Sequence, residues 1–427
     1  MILLPENKHA THSKPVEPLP LPQRAYIPLI QHTGAPCDLL DVKPGDVVKR
    51  GQRIASANAK VFAPVHSSLS GKVVAIQNWP HPVLGKSRAV VIENDGLDSA
   101  MPVKPMPEKE IRSLSPAQIQ NLVMEAGVVG LGGAAFPTHL KLTPVKPIKT
   151  LIINCAECEP FLTGDFRLMM EKTREIVLGI KIIAQCLNVS DIIIAIEDNK
   201  PEAIDIFTKE CSPQTGMKVL TLKSAYPQGG EKNLIKNTLQ KEVPRGKLPF
   251  DIGVVVQNVG TVYAVYEAVY NHKPLYERVV TVAGSCLTNP KNLLVRIGTP
   301  IKNLIEFCGP IKEEPAKIVI GGPMMGLAQY SDDVPVIKST TGVILFNKKE
   351  AKATEESACI RCGACVRGCP QGLMPCLINL AVERQLWDQV ANLGVLDCLE
   401  CGCCSYVCPA NRYVVQSIKR AKLTIPR

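Results

Sequence analysis

The chain has 427 residues and a formal net charge of +10, with 46% hydrophobic, 21% charged and only 4% aromatic residues. This length predicts three or four domains, and the balance of apolar and charged residues is ordinary for a soluble folded protein. No apolar run approaches the roughly 18 residues of a membrane-spanning helix, and no basic surface with interleaved aromatic residues indicates nucleic-acid binding.

Cysteine usage indicates a reducing compartment. Ten of the 17 cysteines lie between Cys359 and Cys408, and no apolar secretory region follows the first residues, MILLPENKHA. Thiolates must stay reduced to bind iron, so we expect the chain in the cytoplasm. No acidic residue follows Glu400, and the cations beyond it are Arg412, Lys419, Arg420, Lys422 and Arg427. This basic end is expected either to touch anionic lipid or an acidic partner, or to be a solvated helix.

The first two segments are a tail and a β-rich domain. Residues 1–25 are rich in proline and predict an extended tail, and residues 26–110 alternate short β-like runs with turn signals. The run VKPGDVVKRGQ, followed by APV and GKV, resembles biotinyl and lipoyl carrier domains, which are flattened barrels of two interlocked hairpins. Lys60 lies near the position that such carriers modify, but its neighbours Ala59 and Val61 differ from their Met-Lys-Met tip. We therefore predict an unmodified barrel-sandwich domain.

The middle of the chain alternates helix and strand. Residues 111–270 contain the apolar runs LIINC, IIIAIED and DIGVVVQ between helical segments, and Ser115-Pro116 is typical of a helix N-terminus. This alternation predicts an α/β domain with ligand sites at the carboxyl ends of its strands. Residues 271–349 predict a short β-rich domain that contains GGPMMG, and residues 350–427 predict a cysteine-rich module. Between the two cysteine runs of this module, PCLINLAVERQLWDQVANLG predicts one helix.

The last module carries one cysteine motif twice, C-x2-C-x2-C-x3-C-P. This is the bacterial ferredoxin run, in which three thiolates hold one [4Fe–4S] cluster and the fourth reaches the other cluster. The first predicted ligand set is Cys359, Cys362, Cys365 and Cys408. The second predicted set is Cys369, Cys398, Cys401 and Cys404. Structural zinc also uses paired C-x2-C spacing, but it does not require the third cysteine or the Cys-Pro, so we favour iron–sulfur clusters. Cys376 and Cys403 fall outside both patterns.

Four segments of the α/β part indicate a nucleotide site. The glycine-rich run GVVGLGGAAFPTHLK begins at Gly127, and clustered glycines let backbone N–H groups approach a phosphate. The other segments are NCAECEP from Asn154, YPQGGE from Tyr226 and QNVGT from Gln257. In this order they resemble the flavin-binding segments of the NADH-oxidising subunit of respiratory complex I, which surround FMN and NADH.

That resemblance implies a set of FMN- and NADH-binding residues. They are Gly127, Gly130, Gly132, Gly133, Lys141, Asn154, Glu157, Glu159, Tyr226, Gly229, Glu231 and Asn258. The chain departs from the complex I pattern where Val129 and Leu131 replace arginines, Ala135 replaces a glycine, and Gly230 and Gly260 replace glutamates. These departures leave the flavin geometry intact and affect the details of the nicotinamide site.

Several residues of these segments have a simpler structural explanation. Cys155 and Cys158 form C-x-x-C, and we expect them to pack locally rather than act in redox or metal chemistry. Glu157 and Glu159 would alternatively form a solvated turn, although ribose or flavin contact is the favoured interpretation. His139 replaces a glycine of the complex I loop and is expected on the surface, not as a general base.

As a whole, the order of motifs resembles the C subunit of the Rnf ion-translocating electron-transport complex. The barrel-sandwich start, the glycine loop, the NCAECEP and YPQGGE turns, GGPMMG and the paired cysteine runs match over about residues 26–415. The resemblance implies a multidomain α/β and α+β protein. Its domains would be an N-terminal barrel-sandwich hybrid, a central α/β FMN/NADH-binding domain, an SLBB-type β-grasp and a C-terminal two-cluster ferredoxin-like α-helical module.

The same resemblance implies a function. The chain would be a peripheral enzyme subunit that carries electrons from NADH to FMN, to two [4Fe–4S] clusters and on to membrane subunits and a ferredoxin-like B subunit. Electron flow between NADH and ferredoxin would drive Na+ or H+ across the membrane, with this chain on the cytoplasmic face of the bacterial inner membrane. Two alternatives stay open: a flavin/iron–sulfur subunit of a soluble hydrogenase or formate dehydrogenase, and a non-enzymatic iron–sulfur electron adaptor.

Overall fold

The structure, a computed structural model, describes residues 1–211, 216–351 and 355–425. Within these residues the strands gather into four sheets, and a helical module closes the chain. No helix in the described ranges is both long and apolar enough to cross a lipid bilayer.

The N-terminal segment, predicted as an extended tail, is built into the body of the protein. Its strand β1 (Val16–Pro18) pairs in parallel with the strand at Lys291–Arg296. Lys8 is buried, and its ammonium group donates hydrogen bonds to the carbonyl oxygens of Glu157 and Leu162, at 2.5 and 2.6 Å. These contacts join residues far apart in the sequence, so the segment predicted as an extended tail is packed against the other domains.

The next residues form the expected barrel-sandwich. Its strands are β2 (Arg24–Pro28), β3 (Leu39–Leu40), β4 (Val47–Val48), β5 (Arg53–Ser56), β6 (Val65–His66), β7 (Gly71–His81) and β8 (Gly85–Asn94). A four-stranded sheet in the order β2-β8-β7-β4 packs against a three-stranded sheet, β3-β5-β6. Ile27, Ile54, Val73 and Ile92 come from both sheets and bury one common core.

The α/β domain has a parallel sheet in the order β11-β10-β9-β12. Its strands are β9 (Thr150–Cys155), β10 (Asp191–Glu197), β11 (Met217–Leu222) and β12 (Val254–Asn258). The helices are α1 (Glu108–Ser113), α2 (Pro116–Glu125), α3 (Thr138–Lys141), α4 (Gly164–Glu171), α5 (Thr173–Leu187), α6 (Pro201–Cys211), α7 (Glu231–Leu239) and α8 (Val259–Tyr270). Helices cover both faces of this sheet, which is why β9 and β10 are almost continuously apolar.

The third domain extends a mixed six-stranded sheet in the order β1-β14-β13-β17-β15-β16. Its elements are β13 (Glu277–Ala283), β14 (Lys291–Arg296), α9 (Ile301–Phe307), β15 (Lys317–Ile320), β16 (Leu327–Gln329) and β17 (Gly342–Phe346). Apolar side chains of α9, including Ile301 and Leu304, pack on Val280 and Leu293 of the sheet. One helix on one face of the sheet agrees with the expected β-grasp architecture.

The C-terminal module consists of short helices around its own core. They are α10 (Ala364–Arg367), α11 (Pro375–Glu383), α12 (Trp387–Asn392), α13 (Cys403–Tyr406) and α14 (Val414–Thr424). The single helix predicted between the cysteine runs is wrong. It is split into α11 and α12 because Gln385 has a left-handed φ of +56°. The break lets Val382 and Val390 both reach the core against Ile418 of α14.

Candidate functional site

The site lies where the order of the parallel sheet reverses. The chain moves from β9 outward through β10 to β11, and it then returns to place β12 on the other side of β9. Open parallel sheets bind ligands in the crevice at the carboxyl ends of the strands beside such a switch point. Asn154 and Asn258 lie at the ends of these two strands, so both predicted residues lie at the crevice.

The glycine loop, residues 127–137, forms one wall of this crevice. A side-chain carbon on Gly132 would lie 3.3 Å from Cβ of Asn258, so the loop approaches β12 closely. Leu131 donates its backbone N–H to the hydroxyl of Thr261, at 2.8 Å, which ties the loop to the start of α8. Among the described residues, no acceptor bonds the backbone N–H groups of Gly132, Gly133 and Ala134. Three consecutive free amides next to a helix N-terminus suit a phosphate group.

The other predicted residues near the crevice are held by polar contacts with one another. The Asn154 amide donates to the carbonyl oxygen of Gly229 at 2.9 Å, and a side chain on Gly229 would clash with the backbone of the NCAECEP turn. Lys141 donates to the Glu231 carboxylate at 2.6 Å, and each of these side chains is about a third exposed, at 33% and 37%. The ammonium group of Lys141 is thus partly accessible, and it forms an ion pair with Glu231 near the crevice.

Glu157 and Asp165 form a pair of neighbouring carboxylates under the crevice. Glu157 accepts the backbone N–H groups of Asp165 and Phe166, at 2.9 and 3.1 Å, and so caps the start of α4. Asn258 donates to Asp165 at 2.6 Å. The pKa of Asp165 is raised mainly by burial and, to a smaller extent, by the nearby carboxylate of Glu157. Glu157 is therefore bonded to the backbone instead of forming the solvated turn considered above. Asp165 joins this polar group through Asn258, and the sequence analysis did not single it out.

Glu159 has internal partners rather than an open carboxylate. It accepts the backbone N–H groups of Met324 and Met325, at 3.1 and 2.9 Å, and the hydroxyl of Tyr226, at 3.2 Å. It thereby holds the GGPMMG turn of the β-grasp domain against the α/β domain. This differs from the expected ribose or flavin contact. The reason is that the turn from a distant domain supplies the donors that an exposed carboxylate would otherwise take from a ligand.

Other residues of these segments pack inside the protein. Cys155 is buried, and Cys158 accepts the backbone N–H of Gly229 at 3.4 Å, so both pack locally as expected. Burial raises the pKa of Cys158 to about 12, which keeps the thiol neutral. His139 is not a surface residue: it is half-buried, its ring meets Phe62 of the barrel-sandwich edge-on, and burial lowers its pKa.

The two cysteine motifs adopt the same backbone conformation. Arg361 and Glu400 occupy equivalent positions and have φ of +56° and +57°, and Gly363 and Gly402 follow with φ of +72° and +81°. No three Cys, His, Asp or Glu side chains in the described ranges are placed to hold a single metal ion. The repeated turn presents each run of cysteines in the same way, as a duplicated cluster motif requires.

One predicted ligand set surrounds a common cavity. Cys369, Cys398, Cys401 and Cys404 line it together with apolar side chains, including Leu373. Burial raises the pKa of Cys398 to about 11 and that of Cys404 to about 12, whereas the hydrogen bond with Cys403 lowers the pKa of Cys401 to about 7. A bound cation such as iron would favour the thiolate form of all four cysteines. Four convergent thiols in an apolar surrounding fit a [4Fe–4S] cluster. We call these four residues the inner set.

The other predicted set lies nearer to solvent. Cys359 and Cys362 are exposed, whereas Cys365 and Cys408 are partly buried. Ser357 donates its backbone N–H to the carbonyl oxygen of Ala410 at 3.1 Å, which brings the start of the first motif beside the end of the second. We call Cys359, Cys362, Cys365 and Cys408 the outer set. The two cysteines outside the motifs also lie close by, because Cys376 contacts Cys365 and Cys403 contacts Cys401.

Four family models match the chain in order. Their descriptions are the RnfC barrel sandwich hybrid domain at residues 2–97, the Nuo51 FMN-binding domain at 123–267, the SLBB domain at 279–328 and a 4Fe-4S dicluster domain at 351–409. These matches confirm the fold class expected from the sequence. They also confirm the prediction of FMN and iron–sulfur clusters over structural zinc.

Curated relatives are similar over almost the whole chain. It is 45% identical, over 98% of its length and 91% of the relative's, to the C subunit of the proton-translocating ferredoxin:NAD(+) oxidoreductase complex of Clostridium ljungdahlii. It is 42% identical, over 99% and 95%, to the C subunit of the Na(+)-translocating ferredoxin:NAD(+) oxidoreductase complex of Acetobacterium woodii. It is 41% identical, over 97% and 80%, to the C subunit of the ion-translocating oxidoreductase complex of Rhodobacter capsulatus.

One solved structure is similar in fold. It is an NAD+-reducing [NiFe]-hydrogenase in the H2-reduced state, which superimposes with a TM-score of 0.52 and 16% sequence identity. The match covers 75% of this chain and 63% of the hydrogenase chain. At this identity the likeness is evidence of a shared fold and of nothing more specific.

Proposed function

The chain belongs to the family of C subunits of Rnf-type ion-translocating oxidoreductase complexes, and from this membership we propose that it exchanges electrons with NADH for the complex. It is a subunit of an electron-transfer enzyme, it has an FMN-binding domain and a [4Fe–4S] dicluster domain, and its partners are the other subunits of that complex. We propose further that the physiological coupling joins NADH and ferredoxin to the movement of Na+ or H+. The chain is similar both to a subunit of a proton-translocating complex and to a subunit of a Na(+)-translocating complex. We therefore propose that the partner subunits determine which ion is moved.

The observation that carries the proposal is the docking of the inner set on the FMN-binding domain. The Tyr226 hydroxyl donates to the carbonyl oxygen of Cys401 at 2.8 Å. Beside it, Gln371 donates to Asn233 at 2.8 Å, and Lys232 lies 3.4 Å from Asp397. The YPQGGE turn therefore touches both the crevice and the inner set, while Cys359 and Cys362 of the outer set face solvent.

This arrangement gives the two cysteine sets different roles. When bound, FMN accepts a hydride from NADH and passes its electrons on singly, as [4Fe–4S] clusters require. The inner set stands on the flavin side, and we propose that the outer set faces the partner subunit. In the crevice, the amides of Gly132 and Gly133 and the ammonium of Lys141 would bind phosphate, and Asn154 and Asn258 would orient the ligand.

We propose that the chain is held at the membrane through its partners, on the cytoplasmic side. Family membership supports a peripheral, membrane-associated subunit, and no helix in the described part of the chain is fit to span a bilayer. The alternative of a soluble hydrogenase or formate dehydrogenase subunit is less favoured, because the family relatives match almost the full chain. The adaptor alternative is less favoured because the crevice keeps its free amides and its lysine.

The experiment that tests the proposal is anaerobic purification of the full chain with its clusters. We expect bound or rebindable FMN, two clusters per chain, and oxidation of NADH with an artificial acceptor. Turnover without flavin, or clusters without any affinity for FMN, would contradict it. A carbonate wash of native membranes should release the chain, and retention after the wash would contradict the peripheral location.

A further inference from the structure

The glycine loop is fastened by two other domains. Two of its carbonyl oxygens bond to side chains of those domains: that of Gly127 accepts from Lys338 at 2.7 Å, and that of Ala134 accepts from the Thr33 hydroxyl at 2.8 Å. Thr33 also donates its backbone N–H to the carbonyl oxygen of Ala135 at 3.2 Å. Thr33 belongs to the barrel-sandwich, and Lys338 belongs to the β-grasp domain. The carbonyl oxygen of Leu131, whose peptide plane carries the N–H of Gly132, also accepts from Arg278 of the β-grasp domain, at 3.4 Å. These contacts hold the loop on both sides of the amides of Gly132, Gly133 and Ala134, which no acceptor among the described residues bonds.

Lys338 is the centre of this attachment. Its side chain is buried, and its ammonium group also donates to the carbonyl oxygen of Pro64, at 2.7 Å, in the barrel-sandwich. Its backbone N–H donates to Gln31 at 3.2 Å, and its own carbonyl oxygen accepts from Arg278. One lysine therefore joins three domains at the point where the glycine loop begins. A buried cation is retained at such a place only when its acceptors compensate for lost hydration.

We propose that the barrel-sandwich and β-grasp domains clamp the glycine loop in its ligand-binding conformation, with Lys338 as the main positioning residue and Thr33 as the second. This gives the barrel-sandwich the task of preparing a ligand site on its neighbour. The proposal rests on the proposed function, because the ligand of the clamped loop is taken to be FMN or NADH. The clamp itself does not depend on which nucleotide binds.

The test uses the full chain with both clusters and the variants Lys338→Met, Thr33→Val and Thr33→Ser. Lys338→Met removes the donors while keeping the length of the side chain, and Lys317→Met is the matched control, because Lys317 is exposed at the start of β15 in the same domain. We expect FMN affinity to fall at least tenfold in Lys338→Met and roughly fivefold in Thr33→Val, as one lost hydrogen bond implies. Thr33→Ser keeps the hydroxyl and should stay within about twofold of the wild type.

Hydrogen exchange at Gly130, Leu131 and Ala135, whose amides are bonded in the structure, gives a readout that needs no flavin. Faster exchange in Lys338→Met and Thr33→Val, but not in Lys317→Met or Thr33→Ser, supports the clamp even if FMN does not bind, in which case only the proposed function fails. Unchanged exchange in a folded Lys338→Met protein overturns the clamp. If Lys338→Met does not fold, unchanged exchange in Thr33→Val overturns it in the same way.

Discussion

The hydroxyl of Tyr226 lies 2.8 Å from the carbonyl oxygen of Cys401, and this hydrogen bond joins the flavin-binding domain to the inner cysteine set. The same hydroxyl lies 3.2 Å from the Glu159 carboxylate, which holds the β-grasp domain through Met324 and Met325. Three domains thus meet at one buried side chain. Since electron transfer depends on the separation of the cofactors, we expect this contact to affect the rate at which the clusters are reduced.

Replacing Tyr226 with phenylalanine should loosen the junction without removing the ring. The hydroxyl has one hydrogen, and the Cys401 carbonyl at 2.8 Å is its nearer acceptor, so this carbonyl would lose its donor and Glu159 would lose a polar neighbour at 3.2 Å. One lost hydrogen bond costs about 1–3 kcal/mol when the partner stays buried. We expect a lower unfolding temperature and slower reduction of the clusters by NADH, with unchanged FMN content. Stopped-flow absorbance measures the rate, and Tyr413→Phe, at an exposed tyrosine, is the control. Wild-type rates in Tyr226→Phe would contradict the role of the contact.

Lys141 should contribute to ligand binding more than to stability. Its ion pair with Glu231 is one-third exposed, and exposed pairs stabilise folding by at most about 1 kcal/mol. A charge-assisted bond to a phosphate is stronger, so Lys141→Met should weaken FMN or NADH binding by about tenfold or more. Lys146→Met is the matched control, because Lys146 pairs with Asp251 at 2.7 Å. Equal affinities in both variants would show that Lys141 does not touch the ligand.

Glu159→Gln separates an internal role from a ligand contact. The amide oxygen could still accept the backbone N–H of either Met324 or Met325. The amide NH2 group would face the other N–H, and two donors cannot bond to each other, so the GGPMMG turn should detach in part. We expect lower thermal stability and little change in the KM for NADH. Limited proteolysis around residues 321–326 measures detachment of the turn. A large rise in the KM for NADH with unchanged stability would instead support the ribose contact that the sequence predicts for Glu159.

Asp165 should make stability depend on pH. Burial, and after it Glu157, raise the pKa of this carboxyl, so the folded chain holds a proton that the unfolded chain has already released above the ordinary value of 3.8. The contribution of Asp165 to the free energy of unfolding therefore falls as pH rises from about 4 through its folded pKa. Asp165→Asn cannot titrate and can still accept from Asn258. The difference in melting temperature, variant minus wild type, should grow over this range, and a constant difference would contradict the shift.

Local signals in the sequence predicted the secondary-structure elements, whereas the contacts between domains could not be predicted from the sequence. Ser115 caps α2, as expected, and the structure adds a capping box with Gln118, a contact that needs only residues three positions apart. The failure at Gln385 came from tertiary packing, which required two helices to reach one core. The role of Glu159 depends on donors from Met324, and no spacing in the sequence reports which surfaces of two domains will meet. The glycine loop and the cysteine runs could be recognised as motifs because the residues of each motif are close together in the sequence.

The order of the two cysteine sets along the electron path gives the sharpest test of the whole assignment. Cys362→Ala removes a ligand of the exposed outer set and should cost about half of the iron, while the inner cluster remains reducible by NADH. Cys398→Ala removes a ligand of the inner set, which lies against the flavin-binding domain, so NADH should no longer reduce the remaining cluster at an appreciable rate. Both variants should keep their FMN and their NADH oxidation with an acceptor that reacts at the flavin. Iron analysis and electron paramagnetic resonance after addition of NADH measure the outcome. A Cys398→Ala protein whose outer cluster is still reduced as fast as in the wild type would show that electrons do not pass through the inner set.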